Sequence, residues 1–169
     1  MLANFNRKRI EHGNREFNYL PETYELPEQM QEFRETFIDN QRGKRENVWI
    51  VKPASSSRGR GIFLLKDLKD VPDDYEHYVV CRYISKPLLV SGYKCDLRIY
   101  VLVTSIDPLR IYIYNEGLVR FASEPYQAGK GSIYSHLTNY SLNKTHDAFV
   151  ENKNAHEQDV GNKWSLSAF

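Results

Sequence analysis

Cysteine is nearly absent from this chain: 169 residues carry two, Cys81 and Cys95. Two cysteines without metal-ligand spacing give neither a disulfide scaffold nor a zinc site, which fits a reducing, cytoplasmic setting. Long apolar runs are missing, so no segment reads as a membrane span, and the N-terminus shows no signal-peptide pattern. Excess charge is missing too. Lysine plus arginine number 23 against 22 acidic residues, which excludes a whole-molecule basic field for nucleic acid and leaves any anion site local. The phosphate loop GxxxxGK[ST] does not occur, and neither do the HRD and DFG segments of protein kinases. What is present is an apolar fraction of 41%, enough for a folded domain with its own core.

The first two dozen residues are polar and contain Pro21, and they read as an irregular entry segment that packs on a body. Pro27 is expected to open a helix, with Met30, Phe33 and Phe37 on its buried face, and "QRGKRE" is expected to end it. From Val48 the chain turns to strands. "VWIVKP" and "GIFLL" flank a glycine loop, "YVVCRYI" follows, and Lys94 to Ser105 is the longest run. Alternation puts Cys95, Leu97, Ile99, Val101 and Val103 on one apolar face and Lys94, Asp96 and Arg98 on the other, continuing into Tyr100 and Leu102. Turns at Asp107-Pro108 and Glu116-Gly117 predict an antiparallel meander. The tail from Asn143 is polar, with room for a short helix.

Four features of the sequence carry chemistry. In "WIVKPASSSRGRGIFLL", Gly59 and Gly61 allow backbone amides to approach phosphate oxygens. Arg58 and Arg60 add charge, and Lys52 could reach a phosphate from the preceding strand; the alternative is a solvated basic hairpin tip. Lys94, Asp96 and Arg98, opposite an apolar face, suit a nucleotide or form an ordinary charged surface. Arg120, inside a β-run, can grip a carboxylate bidentately or serve as a surface ion-pair partner. "SHLTNYSLNK", from Ser135, concentrates hydroxyl, amide and imidazole groups as a ligand rim would. The histidines His12, His77, His146 and His156 lack ligand spacing and are expected at the surface. Tyr112 and Tyr114 are expected to pack.

"FNYLPETYELP", "WIVKP", "SSRGRGI", "CRYISKPLL", "YKCDLRIYVLVTS" and "HLTNYSLNK", in this order, resemble the tubulin–tyrosine ligase-like family, whose body is an ATP-grasp fold. "IVKP", "RGRGI" and "LTNYS" are more similar to its polyglutamylase branch. The resemblance implies an α+β fold with antiparallel sheets, a glycine-rich loop between strands and few helices. It divides the chain into an N-terminal segment and helix, 1–46, and a partial catalytic domain, 47–169, whose remainder is expected downstream.

The resemblance also implies roles. Lys52 binds ATP phosphates, and Arg58 and Gly59 close over the nucleotide, with Arg58 also near the acidic substrate tail. Cys81, Arg82, Tyr83 and Ile84 form a hinge whose backbone meets adenine. Lys94 and Asp96 contact phosphate and ribose. Cys95 stands where the family usually has phenylalanine and is expected to repack the buried face. Thr138 and Asn139 touch the nucleotide. Arg98 faces the reacting centre, Arg120 holds the carboxylate of the incoming glutamate, and Tyr140, Ser141 and Lys163 lie on the amino-acid side.

The implied reaction is ATP- and magnesium-dependent addition of free L-glutamate to glutamate side chains of tubulin C-terminal tails, through an acyl phosphate. The magnesium ligands are expected downstream of this chain, so the chain as it stands is expected to be an incomplete ligase. Microtubules are the implied partner, with no nucleic acid and no membrane, and the implied placement is the cytoskeleton, including cilium or basal body. A glycylase of the same family and a non-catalytic microtubule-binding module are the alternatives.

Overall fold

A computed structural model describes residues 2–13, 15–17, 19–72, 77–152, 154 and 158–169. His156 lies outside them. The chain forms two compact units, Met1–Ser85 and Lys86–Phe169. The helix from Met30 and the first strands share one core within the first unit.

In the first unit, α1 (Leu2–His12) precedes β1 (Thr23–Leu26), α2 (Met30–Arg42), β2 (Trp49–Pro53), β3 (Phe63–Leu65) and β4 (Tyr78–Arg82). The entry segment therefore contains a helix. It escapes an apolar-periodicity reading because α1 is held partly by its charged residues: Lys8 Nζ donates to Glu11 at 2.8 Å and Arg7 lies 3.8 Å from the same carboxylate, the i,i+3 and i,i+4 spacing at which helix side chains meet. Phe5 packs edge-on against Phe17 and Tyr19.

Pro27 sits before α2, in a turn closed by Gln29 N donating to Glu25 O and Met30 N to Pro27 O. The helix thus begins at Met30, three residues later than the proline suggests. Met30, Phe33 and Phe37 are buried as their spacing requires. They face an antiparallel sheet of order β1-β4-β2-β3. Trp49, Val51, Leu65, Val80, Tyr24 and Leu26 complete the core, and Phe33 meets the Trp49 ring edge-on at 5.1 Å. Trp49 Nε1 donates to Asn47 Oδ1 at 2.8 Å, so the indole is buried with its polar atom satisfied.

The second unit contains β5 (Leu89–Val90), β6 (Tyr93–Ile106), β7 (Leu109–Phe121), α3 (Ile133–His136), α4 (Tyr140–Asn143) and β8 (Lys163–Ser165). Its sheet is antiparallel, in the order β5-β6-β7-β8. Both units are therefore mixed α and β with antiparallel sheets and few helices, the architecture the sequence leads one to expect.

Three expectations fail here. Glu116-Gly117 is not a turn: β7 runs straight through it, and Gly117 is there because a Cβ would lie 2.5 Å from the Arg98 carbonyl oxygen. The tail holds β8 rather than a helix among the described residues. The apolar face of β6 is not buried. Leu97, Ile99, Val101 and Val103 are exposed, as are Leu102 at 61% and Ile113 at 65%, and so are Tyr112 and Tyr114. The cause is strand length. β5 pairs only with Tyr93 and Lys94, and β8 only with Leu118 to Arg120, so the far half of the hairpin has no third strand among the described residues.

Candidate functional site

In the first unit, β2 alternates cleanly. Trp49 and Val51 enter the core, while Ile50 and Lys52 lie on the opposite face and are half-buried. Antiparallel register puts Cys81 beside Ile50 and Val79 beside Lys52 on that face. The chain then makes the glycine loop, where Arg58 (φ +64°), Gly59 (φ +81°) and Gly61 (φ +71°) are all left-handed. A Cβ on Gly61 would meet Pro53 Cγ at 2.9 Å, so this glycine answers both to its backbone and to the proline closing β2. Lys52, Arg58 and Gly59 therefore bracket one strand-to-loop transition, with Arg58 exposed.

The hinge segment is more constrained than its sequence indicates. Arg82 N donates to Glu22 O at 2.8 Å and Tyr83 N to Val48 O at 2.9 Å, so both amides are committed to the fold. The Arg82 side chain is committed as well, with Nε on Glu22 at 3.0 Å and Nη1 on Glu46 O at 3.1 Å. Ile84 is 61% exposed, and among the described residues its amide carries no backbone bond of this kind. Of residues 81–84, Ile84 is the exposed one.

In the second unit, register rather than sequence distance assembles the site. Asp96 on β6 pairs with Arg120 on β7, which pairs with Lys163 on β8, a row across three strands on one face. Arg98 is two residues along from Asp96 and opposite Leu118. A cavity of about 280 Å³ is lined by Arg98, Tyr100, Leu118, Arg120, Tyr140 and Lys163. Among the described residues its walls carry three cations and no carboxylate. Lys163 Nζ stands 5.9 Å from the centroid of the Tyr140 ring, and Lys144 Nζ 5.8 Å from it, within the range of cation–π attraction.

Arg120 is not idle. Its Nε donates to Asp96 Oδ1 at 2.8 Å and its Nη2 to Asp96 Oδ2. The hydrogen bond to Asp96 raises the Arg120 pKa above its ordinary value and keeps the guanidinium charged. The two sequence readings of Arg120, carboxylate grip and ion-pair partner, are both compatible with this geometry, because the residue is paired on one side and lines the cavity on another.

Lys94 is tied to the polar loop: its Nζ donates to His136 O at 2.8 Å. Thr138 is buried, Asn139 and Ser141 are half-buried, and Tyr140 is exposed. The residue that shapes this loop is Asn143, which is 1% exposed. Its Nδ2 donates to Leu137 O at 2.8 Å and Asn139 O at 3.0 Å, while its Oδ1 accepts from Ser123 N at 2.9 Å. Sequence reading does not single it out, since one asparagine in a polar loop carries no periodic signal. His146 is a correction: it is half-buried, with Nε2 3.0 Å from Glu124 Oε1 and its ring against Tyr134. Burial pushes the Cys95 thiol pKa up, and nearby Asp96 adds to the shift.

A larger cavity, about 330 Å³, lies elsewhere in the second unit between Val90, Tyr93, Phe121, Val150 and Trp164. Among the described residues it has no charged wall, so the charge chemistry belongs to the smaller one. Among the described residues no three His, Cys, Asp or Glu side chains come together as a metal site, and Asp96 is already engaged by Arg120. These residues do not by themselves fit a magnesium ion.

A sequence model described as the tubulin-tyrosine ligase family matches residues 1–169, the whole chain. The chain belongs to that family. It is 44% identical to "Tubulin polyglutamylase TTLL5" of Mus musculus over 171 aligned residues, covering 99% of this chain but 12% of that protein. It is 44% identical to "Probable beta-tubulin polyglutamylase" of Tetrahymena thermophila, covering 90% of this chain and 13% of the relative. It is also 44% identical to "Probable tubulin polyglutamylase TTLL2" of Homo sapiens, covering 94% and 27% respectively. The chain therefore spans roughly an eighth of the length of the first two relatives.

Proposed function

We propose that this chain is part of an ATP-dependent ligase that joins the amine of free L-glutamate to glutamate side-chain carboxylates in the acidic tails of tubulin. The observation that carries this reading is the cavity walled by Arg98, Arg120 and Lys163, with no carboxylate among its described lining residues. Such a wall suits an amino acid bearing two carboxylates and gives no particular advantage to glycine, which brings only one. The names of the relatives supply the substrate class.

Within the reading, Lys52 and the Arg58–Gly59 turn take ATP phosphate oxygens, and the exposed Ile84 meets adenine, with Cys81 on the neighbouring face. Lys94, held by His136 O, and the rim residues Thr138 and Asn139 are assigned to the nucleotide. Arg98 stabilises the charge that develops as the acyl centre becomes tetrahedral. Arg120 and Lys163 hold the carboxylates of the incoming glutamate, with Tyr140 and Ser141 beside them.

The chemistry balances in two displacements. An acceptor carboxylate oxygen attacks the γ-phosphorus of ATP and ADP leaves. The glutamate amine, having lost its extra proton, then attacks the acyl carbon, and inorganic phosphate leaves as the amide forms. Magnesium would neutralise polyphosphate charge when supplied with ATP; the described residues of this chain do not supply its ligands. Microtubules and the cytoskeleton, including the cilium, are the corresponding partner and setting.

The test is transfer of radiolabelled glutamate to microtubules by the protein with ATP and magnesium. Label appearing on tubulin, and lost with Arg120→Ala, is the expected result. No transfer by a folded protein in its full natural length, or transfer indifferent to Arg120→Ala, contradicts the reading.

A further inference from the structure

We infer that the larger cavity of the second unit is a binding site for a small, uncharged aromatic molecule with one hydrogen-bonding group, anchored by Ser123 Oγ. This site is separate from the ligase reading and does not depend on it. The cavity, about 330 Å³, is of a size that takes a one- or two-ring ligand. Side chains alternate along β7, so Phe121 faces away from Arg120. The site therefore lies on the opposite side of that strand from the smaller cavity.

The walls set the class of ligand. Tyr93, Phe121 and Trp164 supply aromatic surface, and Val90, Ala122 and Val150 supply aliphatic surface. Among the described residues no lining group is charged, so an ion entering would lose its hydration with nothing to pair it. Two polar side chains of the wall are already spent. Asn162 Nδ2 donates to Ala122 O at 3.0 Å, its Oδ1 accepts from Val150 N at 2.8 Å, and Trp164 Nε1 donates to Gly161 O at 2.9 Å. Ser123 is different. It is 4% exposed, and its Oγ finds no hydrogen-bond partner among the described residues. A buried hydroxyl left unpaired is costly, and a ligand donor or acceptor relieves it after a turn about χ1. The backbone need not move, because Ser123 N is held by Tyr134 O at 3.0 Å and Asn143 Oδ1 at 2.9 Å.

The wall is also built before a ligand arrives. Gly161 (φ +76°) passes so close to Val150 that a Cβ would lie 2.4 Å from its carbonyl oxygen. Phe121 N donates to Asn162 O at 2.9 Å, which clamps this segment against the end of β7. The Phe121 and Trp164 rings stand 4.7 Å apart. A preformed pocket spares the ligand the cost of ordering one.

The probes are 2-naphthol, naphthalene and 2-naphthoate, titrated into the protein and followed by NMR at the tryptophan indole protons. Trp164 lines the cavity and Trp49 lies in the core of the first unit, so the two signals report site and background. 2-Naphthol is expected to shift the Trp164 signal saturably and leave Trp49 in place, while 2-naphthoate is expected not to bind. Ser123→Ala is expected to weaken 2-naphthol about three- to tenfold and to leave naphthalene within about twofold. Ala148 is exposed and lines the cavity, so Ala148→Phe blocks the site at little risk to folding and is expected to abolish the Trp164 shift. Equal shifts at both tryptophans, or no saturable shift at Trp164, would overturn the inference. So would 2-naphthoate binding as tightly as 2-naphthol, or a Ser123→Ala affinity equal to wild type. None of these outcomes bears on glutamate transfer, so the ligase reading stands or falls separately.

Discussion

The Arg82 guanidinium lies 4.4 Å from the centroid of the Trp49 ring while its Nε donates to Glu22 at 3.0 Å. One arginine thus caps the buried tryptophan and ties the segment before β1 to the end of β4. Arg82→Ala removes a cation–π contact, two sets of hydrogen bonds and the packing of the arginine stem. The expected cost is about 2 kcal/mol, read as a lower urea midpoint in equilibrium unfolding.

The exposed hairpin makes a sharper contrast. If Val101 and Ile113 were core residues, replacing each with threonine would cost well over a kilocalorie per mole. Because both are exposed, Val101→Thr and Ile113→Thr are each expected to change stability by less than about 0.5 kcal/mol. Phe33→Ala, at a position with no exposed surface, is expected to cost about 3–5 kcal/mol. Chemical denaturation of the three variants checks the ordering.

Gly117 sits against Arg98 with no room for a methyl group. Gly117→Ala must push β7 away from the Arg98 carbonyl, at an expected cost of about 1–3 kcal/mol. The movement displaces a cavity wall, so L-glutamate binding should weaken more than ATP binding. Calorimetry with each ligand in turn measures the difference.

Cys95 is predicted to be a slow nucleophile. Burial and the Asp96 charge raise its pKa, so less of it is thiolate at neutral pH than for an ordinary cysteine, and the thiolate is the reactive form. Its alkylation by iodoacetamide, followed by mass spectrometry, should be slow at pH 7 and should accelerate as pH rises past the ordinary thiol range. Asp96→Asn removes one of the two causes and should increase the rate at a given pH.

Much of this fold was legible in local pattern. The buried stripe of α2, the strands on both sides of the glycine loop and the polar face of β6 all follow from periods of 3.6 and 2. Three kinds of feature were not. α1 draws on charged pairs at helical spacing, which apolar periodicity does not register. Gly117 reads as a turn because glycine usually marks one, whereas here it answers to a close approach from a strand distant in sequence. The Asp96–Arg120–Lys163 row depends on strand register, and β6–β7 pairing shifts between Ile99 and Val101 and again between Val103 and Ser105, which no local signal encodes. The apolar face of β6 failed as a burial forecast for a related reason: alternation tells which side chains share a face, but not how far the neighbouring strands extend.

The central claim is that the Arg98, Arg120 and Lys163 cavity selects an amino acid with a side-chain carboxylate. Equilibrium binding of radiolabelled L-glutamate to the protein, with unlabelled glycine as competitor, tests it most directly. The account predicts that a large excess of glycine fails to displace the label and that Arg120→Ala abolishes retention. Displacement by glycine at concentrations comparable to those of unlabelled L-glutamate, or full retention by Arg120→Ala, would contradict it.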